Sequence, residues 1–574
     1  MTMQDRQTNW EDDRKLRPAS VYNGAKCVLD ILVEEGVEVI FGFPGGSVLH
    51  LYDALLDSRI RHVLPRHEQG AVHAADAYAR ASGKVGVCMA TSGPGAANFV
   101  TGIANAYMDS IPLVVLTGQV STYFLGSDCF QEVDITGITL PITKHSYLVK
   151  DVNDIPRVVR EAFHIARTGR PGPVLIDLPK DVQAGELAKP DLGRVSIKSY
   201  KYFSKGNPSQ IAEAAKALEY SQKPVLYAGG GVITSGAGAV LQQLVDRLNL
   251  PAVTTLMGIG SLPTTHPNLL GMVGMHGTVA ANYAVSDCDL LLAVGVRFDD
   301  RVTSGLKHHF ATRAKIIHID IDPAEIGKVV VPNIPIVGDA RLVLEELSKQ
   351  VKTPEISDWW LRIRAWQREH PLRYDQESEL NPQQILEAMS RLSGPESIVT
   401  TDVGQHQMWA AQFCTISRER QFITSAGLGT MGFGLPAAIG AQVACPDRLV
   451  YLVTGDGSLQ MTIQELATTV QHRLPIKIVL MNNGVLGMVR QMQKLFHDER
   501  FSQIQLTANP DFVKVAEAYG IKGLRVKSPG EVEPAFREAL AHPGPVLIDC
   551  WISPDEVVLP MVPPGKAIHE MLEG

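Results

Sequence analysis

No stretch of the 574 residues approaches the run of about 18 apolar side chains that a membrane-spanning helix needs, so no span is expected. No Cys-x-x-Cys pair occurs. The seven cysteines (Cys27, Cys88, Cys129, Cys288, Cys414, Cys445 and Cys550) are scattered and odd in number. They suggest neither a disulfide framework nor a thiolate metal site, and read as buried thiols of a reducing, cytoplasmic compartment. Positive charge is not in excess: the net charge is −8, so nucleic acid is not an expected partner. An apolar leader is missing as well. Residues 1–19 are polar with acidic positions and read as a disordered extension rather than a signal peptide. What is present is ordinary for a globular enzyme: 45 % hydrophobic and 20 % charged residues, in a length that suits several domains.

The stretch from Arg448 to Met492 organises the rest. Leu449 to Thr454 is a short apolar, strand-like run ending in Gly455-Asp456-Gly457. Thr462 to His472 reads as a helix opened by a Thr462/Glu465 capping box. Ile476 to Met481 reads as a second strand, broken by Asn482-Asn483-Gly484. In a parallel βαβ unit both turns fall at the same carboxyl edge of the sheet. A carboxylate oxygen from Asp456, an amide oxygen from Asn483 and the carbonyl of Val485 then form an oxygen set for Mg²⁺, which phosphates and water usually complete. The glycines admit close backbone approach, and the helix start favours negative charge. Read singly, each turn is one that any α/β protein contains. At this spacing, with Ser458 to Met481 between them, the pair resembles the motif of thiamine diphosphate enzymes.

The rest of the chain is α/β in rhythm. Residues 20–185 start with a helix, Val21 to Glu35, and a strand, Val39 to Gly42. The turn Phe43 to Ser47 and a helix to Leu56 follow. Val63 to Gly70 reads as a strand whose polar end holds Glu68. Val85 to Thr91 runs into Ser92-Gly93-Pro94-Gly95. Leu113 to Thr117 and Pro173 to Lys180 complete the unit. Residues 183 to 206 look like a linker. A second unit, 206–350, has Pro224 to Ala228 before a triple glycine, then Leu290 to Gly295 and Ile316 to Asp322. A charged, tryptophan-bearing stretch, Asp358 to Gln376, bridges to a third unit, 380–555. Residues 556–574 form a tail expected to lie over a site or a neighbour. Alternating βα units imply parallel sheets covered on both faces.

Further motifs stand in order: Phe43-Pro44-Gly45-Gly46, Arg66 to Gly70, Thr91 to Gly95, Phe130-Gln131-Glu132, Pro179 to Val182, Gly274 to Gly277 and Arg297 to Val302. With the two turns, they resemble the catalytic large subunits of acetohydroxyacid (acetolactate) synthases over about residues 20 to 566. Arg297 to Val302 is the most discriminating stretch. The resemblance implies an α/β fold of three doubly wound parallel-sheet domains: pyrimidine-binding, central FAD-binding and diphosphate-binding. It implies a transferase that decarboxylates pyruvate on thiamine diphosphate. The hydroxyethyl carbanion then condenses with a second 2-keto acid, pyruvate or 2-ketobutyrate, to give 2-acetolactate or 2-aceto-2-hydroxybutyrate on the way to valine, leucine and isoleucine. The alternatives are a pyruvate oxidase or another thiamine diphosphate-dependent decarboxylase or carboligase. A flavin or nicotinamide oxidoreductase is a further one, because Gly427 to Gly432 also fits the dinucleotide fingerprint.

Residue roles follow from the same resemblance. Glu68 would hydrogen-bond the aminopyrimidine N1′ and favour the tautomer that removes the thiazolium proton. Gly46 would offer an N–H to a developing oxyanion. Phe130, Gln131 and Lys180 would line the pocket, and Arg301 would take the second keto acid's carboxylate. Gly404, Gln405 and His406 would form a diphosphate turn. Gly429 would meet the 4′-amino group, and Met431 would wedge the cofactor. Gly455, Asp456, Gly457 and Ser458, with Asn483, Val485, Leu486, Gly487 and Met488, would complete the cradle; Asp456, Asn483 and Val485 would hold Mg²⁺. A flavin without net redox role would touch Arg170, Gly229, Gly230, Gly274, Met275, His276, Gly277, Gly295, Arg297, Asp320 and Asp339. Glu68 and Asp456 would meet across a subunit boundary, so a homodimer or tetramer is expected, with a small regulatory subunit. Two positions depart from the family pattern: Met492 stands where Trp is usual, and Ser121 where many relatives carry Pro. A flexible thioether lacks the flat face of an indole. Weaker preference for 2-ketobutyrate and poor sensitivity to sulfonylurea-type inhibitors are the expected consequences.

Overall fold

The apolar runs become three six-stranded sheets in which every pairing is parallel. The computed structural model describes residues 22–189, 195–374 and 379–573, so the expected extension at 1–19 lies outside the described residues. The first sheet holds β1 (Val39–Phe43), β2 (Arg61–Val63), β3 (Gly86–Ala90), β4 (Leu113–Gln119), β5 (His145–Leu148) and β6 (Pro173–Pro179), ordered β2-β1-β3-β4-β6-β5. The second holds β7 (Pro224–Ala228), β8 (Ala252–Thr254), β9 (Leu269–Met272), β10 (Leu290–Val294), β11 (Lys315–Asp320) and β12 (Ile334–Val337), ordered β12-β11-β10-β7-β8-β9. The third holds β13 (Ile398–Thr401), β14 (Phe422–Ile423), β15 (Val450–Gly455), β16 (Lys477–Asn482), β17 (Lys522–Val526) and β18 (Val546–Trp551), ordered β14-β13-β15-β16-β18-β17. The first and third sheets are therefore wired alike. The second has the doubly wound dinucleotide-binding order, with its switch point between β7 and β10. Strands β4 and β6 are buried along their whole length, as expected where helices cover both faces.

One apolar core is shared by the first and third domains. The Glu68–Ser82 helix lies against the Gly434–Ala444 helix, and both contact faces are rich in alanine. A Cβ at Gly440 would collide with the Ala74 carbonyl, so the two backbones touch. The second domain has its own core, and the Ser357–Glu369 helix inserts Trp359, Trp360 and Ile363 into it. The stretch read as a bridge is thus partly a piece of the central domain.

Two local expectations are corrected. Thr462 does not cap a helix. A helix starts at once after β15 (Asp456–Met461), Thr462 breaks it, and a short 3₁₀ turn (Ile463–Glu465) precedes the Leu466–Gln471 helix. The Glu465 carboxylate accepts the backbone N–H of Arg66 instead, at 3.0 and 3.1 Å. Glu68 does not end a strand either. It is the first residue of its helix, and the His67 ring caps that helix by accepting from the N–H of Gln69. The tail is laid across the two later domains: Val562 donates its N–H to the Met275 carbonyl, and Val558 donates to Gln491.

Candidate active site

The carboxyl edge of the third sheet gathers the chemistry. Pairing of Gly455 with Met481 puts the turns after β15 and β16 side by side. Asp456, first residue of its helix, is buried; one oxygen accepts from the Gly484 N–H (2.9 Å) and the Asn509 amide (2.6 Å). Burial pushes its acid above the ordinary value, against those hydrogen bonds. The Asn483 amide oxygen accepts from the N–H of Val485 at 3.1 Å. Leu486 donates to the Ile504 carbonyl, and Ser458 donates to the Val403 carbonyl. Above these lie Gln405 and His406, with the Gln405 Oε1 and His406 Nε2 buried and unpartnered in the chain. A Cβ at Gly455 would come within 3.0 Å of the His406 ring, one at Gly457 within 2.9 Å of Leu486, and one at Gly487 would collide with Gln405. Burial lowers His406 to about 3, so its ring is neutral. Orphaned polar atoms above a glycine floor, beside one carboxylate, one amide oxygen and the Val485 carbonyl, fit a Mg²⁺ diphosphate, which brings the remaining oxygens itself.

The turn after β14 faces the same edge. Gly429 (φ 69°) and Gly432 (φ 88°) take left-handed conformations, and the space where a Gly429 side chain would stand is open. Asp402 holds the far end of this turn. Its carboxylate accepts from the N–H groups of Val403 (2.8 Å), Gly432 (2.9 Å) and Gly434 (3.0 Å), and burial raises it to about 6.

A cavity of about 620 Å³ runs from this turn into the central domain. Gly404, Gly429, Met431, Met488 and Met492 line one end. Gly230, Gly295 and Asp339, which follow β7, β10 and β12, and Asp320, which ends β11, line the other, with Arg170, Met275, His276 and Arg297 beside them. A Cβ at Gly229 would collide with the Gly295 carbonyl, so only glycine allows the close approach at the switch point. Gly274 (φ 110°) accepts and donates through Asn282, and Gly277 sits against the Met272 carbonyl. Arg170 pairs with Glu325 at 2.6 Å and donates to Ser110. Burial lifts Asp320 to about 7 and lowers His276 to about 4. A crevice of this size at the switch point, with carboxylates at the ends of outer strands, fits a dinucleotide such as FAD. Arg301 also borders it; its nearest carboxylate is Asp300, at 3.8 Å.

The remaining residues lie elsewhere. Gly46, Glu68, Gln131 and Lys180 follow β1, β2, β4 and β6, hence all stand at the carboxyl edge of the first sheet. Glu68 is half-buried and accepts from the Asn98 amide at 2.9 Å. Ser47 and Thr91 share a buried hydroxyl pair beneath Gly46, whose own side-chain direction is open. Gln131 is left-handed (φ 59°), and Phe130 is 87 % exposed. None of these lines the cavity described above, so within one chain the cavity and the group around Glu68 are separate features.

The loop that bears Phe130 and Gln131 is tied down from below. Gln119 donates to the Val133 carbonyl (2.8 Å) and to Asp177 (2.9 Å), and Thr117 donates to Asp177 at 2.7 Å. Burial lifts the Asp177 acid from 3.8 to about 7. The folded chain then binds more protons than the unfolded chain between those values, so this group's contribution to stability is lost as pH rises from about 4 to about 7. Asp177→Asn is expected to flatten the melting temperature against pH across that window; an unchanged slope would refute the assignment.

Sequence reasoning missed Asp402, Asn509 and Gln491. Each is a lone polar residue without a motif of its own. Among the described residues, no helix is long and apolar enough to cross a membrane.

Comparison with known proteins covers all three domains. Family models of thiamine pyrophosphate enzymes match residues 22–138 (N-terminal TPP binding domain), 211–347 (central domain) and 402–550 (C-terminal TPP binding domain). The chain is 49 % identical over 572 residues to an acetolactate synthase large subunit of Pyropia yezoensis, covering 97 % of this chain and 96 % of the relative. It is 49 % identical to the acetolactate synthase isozyme 3 large subunit of Escherichia coli, covering 96 % and 98 %. A probable acetolactate synthase large subunit of Methanocaldococcus jannaschii is 50 % identical, covering 96 % and 95 %.

Proposed function

The chain belongs to the acetolactate synthase large subunits, thiamine diphosphate-dependent enzymes, and we propose that it releases carbon dioxide from pyruvate and joins the remaining two-carbon unit to a second 2-keto acid. The observation that carries this reading is the β15–β16 register, which sets Asp456 beside the Asn483 turn under a roof of unpartnered polar atoms. Bound thiamine diphosphate supplies the carbon nucleophile. Asp456, Asn483 and the Val485 carbonyl hold Mg²⁺, and Gln405 and His406 face the phosphates. Met431 and Gly429 shape the space for the ring system. Glu68 holds or releases a proton at the pyrimidine nitrogen. The Arg301 guanidinium, 3.8 Å from the Asp300 carboxylate, binds the acceptor's carboxylate. FAD fills the far end of the cavity as a structural ligand.

The split site asks for a second copy of the chain. Tyr123, Phe124, Phe130 and Leu140 are exposed on the domain that carries Glu68, and apolar side chains exposed in numbers are normally covered. A homodimer is the smallest assembly that brings Glu68 to the Asp456 edge, and the large-subunit name of the relatives adds a small regulatory partner. The test is acetolactate formation from pyruvate by protein stripped of cofactors, then reloaded. Activity is expected to need both thiamine diphosphate and Mg²⁺; undiminished activity in their absence would overturn the reading. With 2-ketobutyrate in competition, Met492 on the cavity wall is expected to give acetolactate as a substantial product. A product ratio strongly favouring acetohydroxybutyrate would refute that part.

A further inference from the structure

We propose that Asp109, with Asn105 one helical turn before it, is the positioning residue for the thiamine-facing turn Ser425 to Gly432. The inference rests on reading that turn as part of the cofactor cradle.

The turn cannot hold itself. Gly427, Gly429 and Gly432 give it little intrinsic preference, and two of them are left-handed. Its far end is pinned from within its own domain by Asp402. Its near end has one tie from its own domain, Gln407 donating to the Ser425 carbonyl at 2.9 Å, and the rest come from another domain. Asp109, where the Val100–Met108 helix stops, accepts from the N–H of Gly427 at 2.7 Å and from the N–H of Ala426 at 3.1 Å. Asn105 accepts from the hydroxyls of Ser425 and Thr430, and Ser425 in turn accepts from the Thr430 N–H at 2.9 Å.

Both anchors are themselves immobilised. Arg80, on the helix that begins with Glu68, donates to Asp109 at 2.9 Å, to Asp76, and to the Thr424 carbonyl at 2.9 Å. Asn105 donates to Asp76 at 3.0 Å. All four side chains are buried. A buried arginine with two carboxylates is tolerable only when every remaining lone pair finds a donor. Here the missing donors are the backbone N–H groups of the turn. The network is satisfied only when the turn sits in this one place, which is what a positioning device requires.

Asp109→Asn tests this sharply. An amide offers one acceptor where the carboxylate faces three donors, so its NH₂ must oppose Arg80 or the turn. Hydrogen exchange is measured on the cofactor-free protein. Peptides covering 424–432 are expected to exchange faster by 10-fold or more, while peptides of β4 stay unchanged. Thiamine diphosphate affinity is expected to fall on the order of 10- to 100-fold, as for loss of a supporting contact, with KM for pyruvate at saturating cofactor little moved. Thr430→Val, which removes one side-chain tie to Asn105, is expected to give a smaller change of the same pattern and serves if Asp109→Asn does not fold. Unchanged exchange at 424–432, or faster exchange everywhere in both variants, would overturn the proposal. A loosened turn with undiminished thiamine diphosphate affinity would instead remove the cradle reading and leave the anchor.

Discussion

Glu68→Gln is expected to cut acetolactate formation by about 100- to 10,000-fold, the range that a positioned proton-transferring group contributes. The fold should hardly notice. Glutamine keeps the length and shape of the side chain, and its carbonyl can still accept from Asn98. What disappears is a negative charge at a helix start, worth about 0.3–1 kcal/mol, and the capacity to exchange a proton. The measurement is steady-state rate beside thermal melting: a large fall in rate without a fall in melting temperature is the expected pair. A rate within a few-fold of the parent would remove Glu68 from the chemistry.

Asp456→Asn is expected to fail differently, by losing cofactor. Aspartate offers the only carboxylate among the three proposed metal donors. Altering a group that merely supports a metal ligand costs about 10- to 100-fold, so replacing the charged donor itself should weaken Mg²⁺-dependent thiamine diphosphate binding by at least about 100-fold. Asparagine retains one acceptor oxygen, and both Gly484 and Asn509 donate to the same Asp456 oxygen, which limits the structural damage. Titration of the stripped protein with cofactor, followed by intrinsic fluorescence, checks it. The two variants together test the assembly. If each site draws Glu68 from one chain and Asp456 from another, a mixed dimer has one site with both defects and one with neither. Random re-association should then restore about a quarter of the parent activity by counting subunit pairings. Mixing that restores nothing would refute the shared site.

Much of this was legible before any coordinates. Long central strands such as β4 and β15 announce themselves as apolar runs, and the turns after β15 and β16 carry a spacing that singles them out. The two-residue β14 and three-residue β2 are too short to leave a pattern. Local rules failed where tertiary partners outbid them. Glu465 fits a capping box on paper, but the backbone of Arg66 claims its carboxylate. Glu68 follows a strand-like run, but the His67 ring opens a helix there. Asp109 and Asp402 had no signature because their partners are bare N–H groups far away in sequence, which any residue can supply.

The matching strand order of the first and third sheets, joined helix to helix through their alanine faces, has a bearing on descent. A gene doubled within itself would leave such a trace: a meeting of two equal molecules turned into a tether. On the proposed function, each copy has then shed half of an inherited task, with Glu68 left on one and Asp456 on the other.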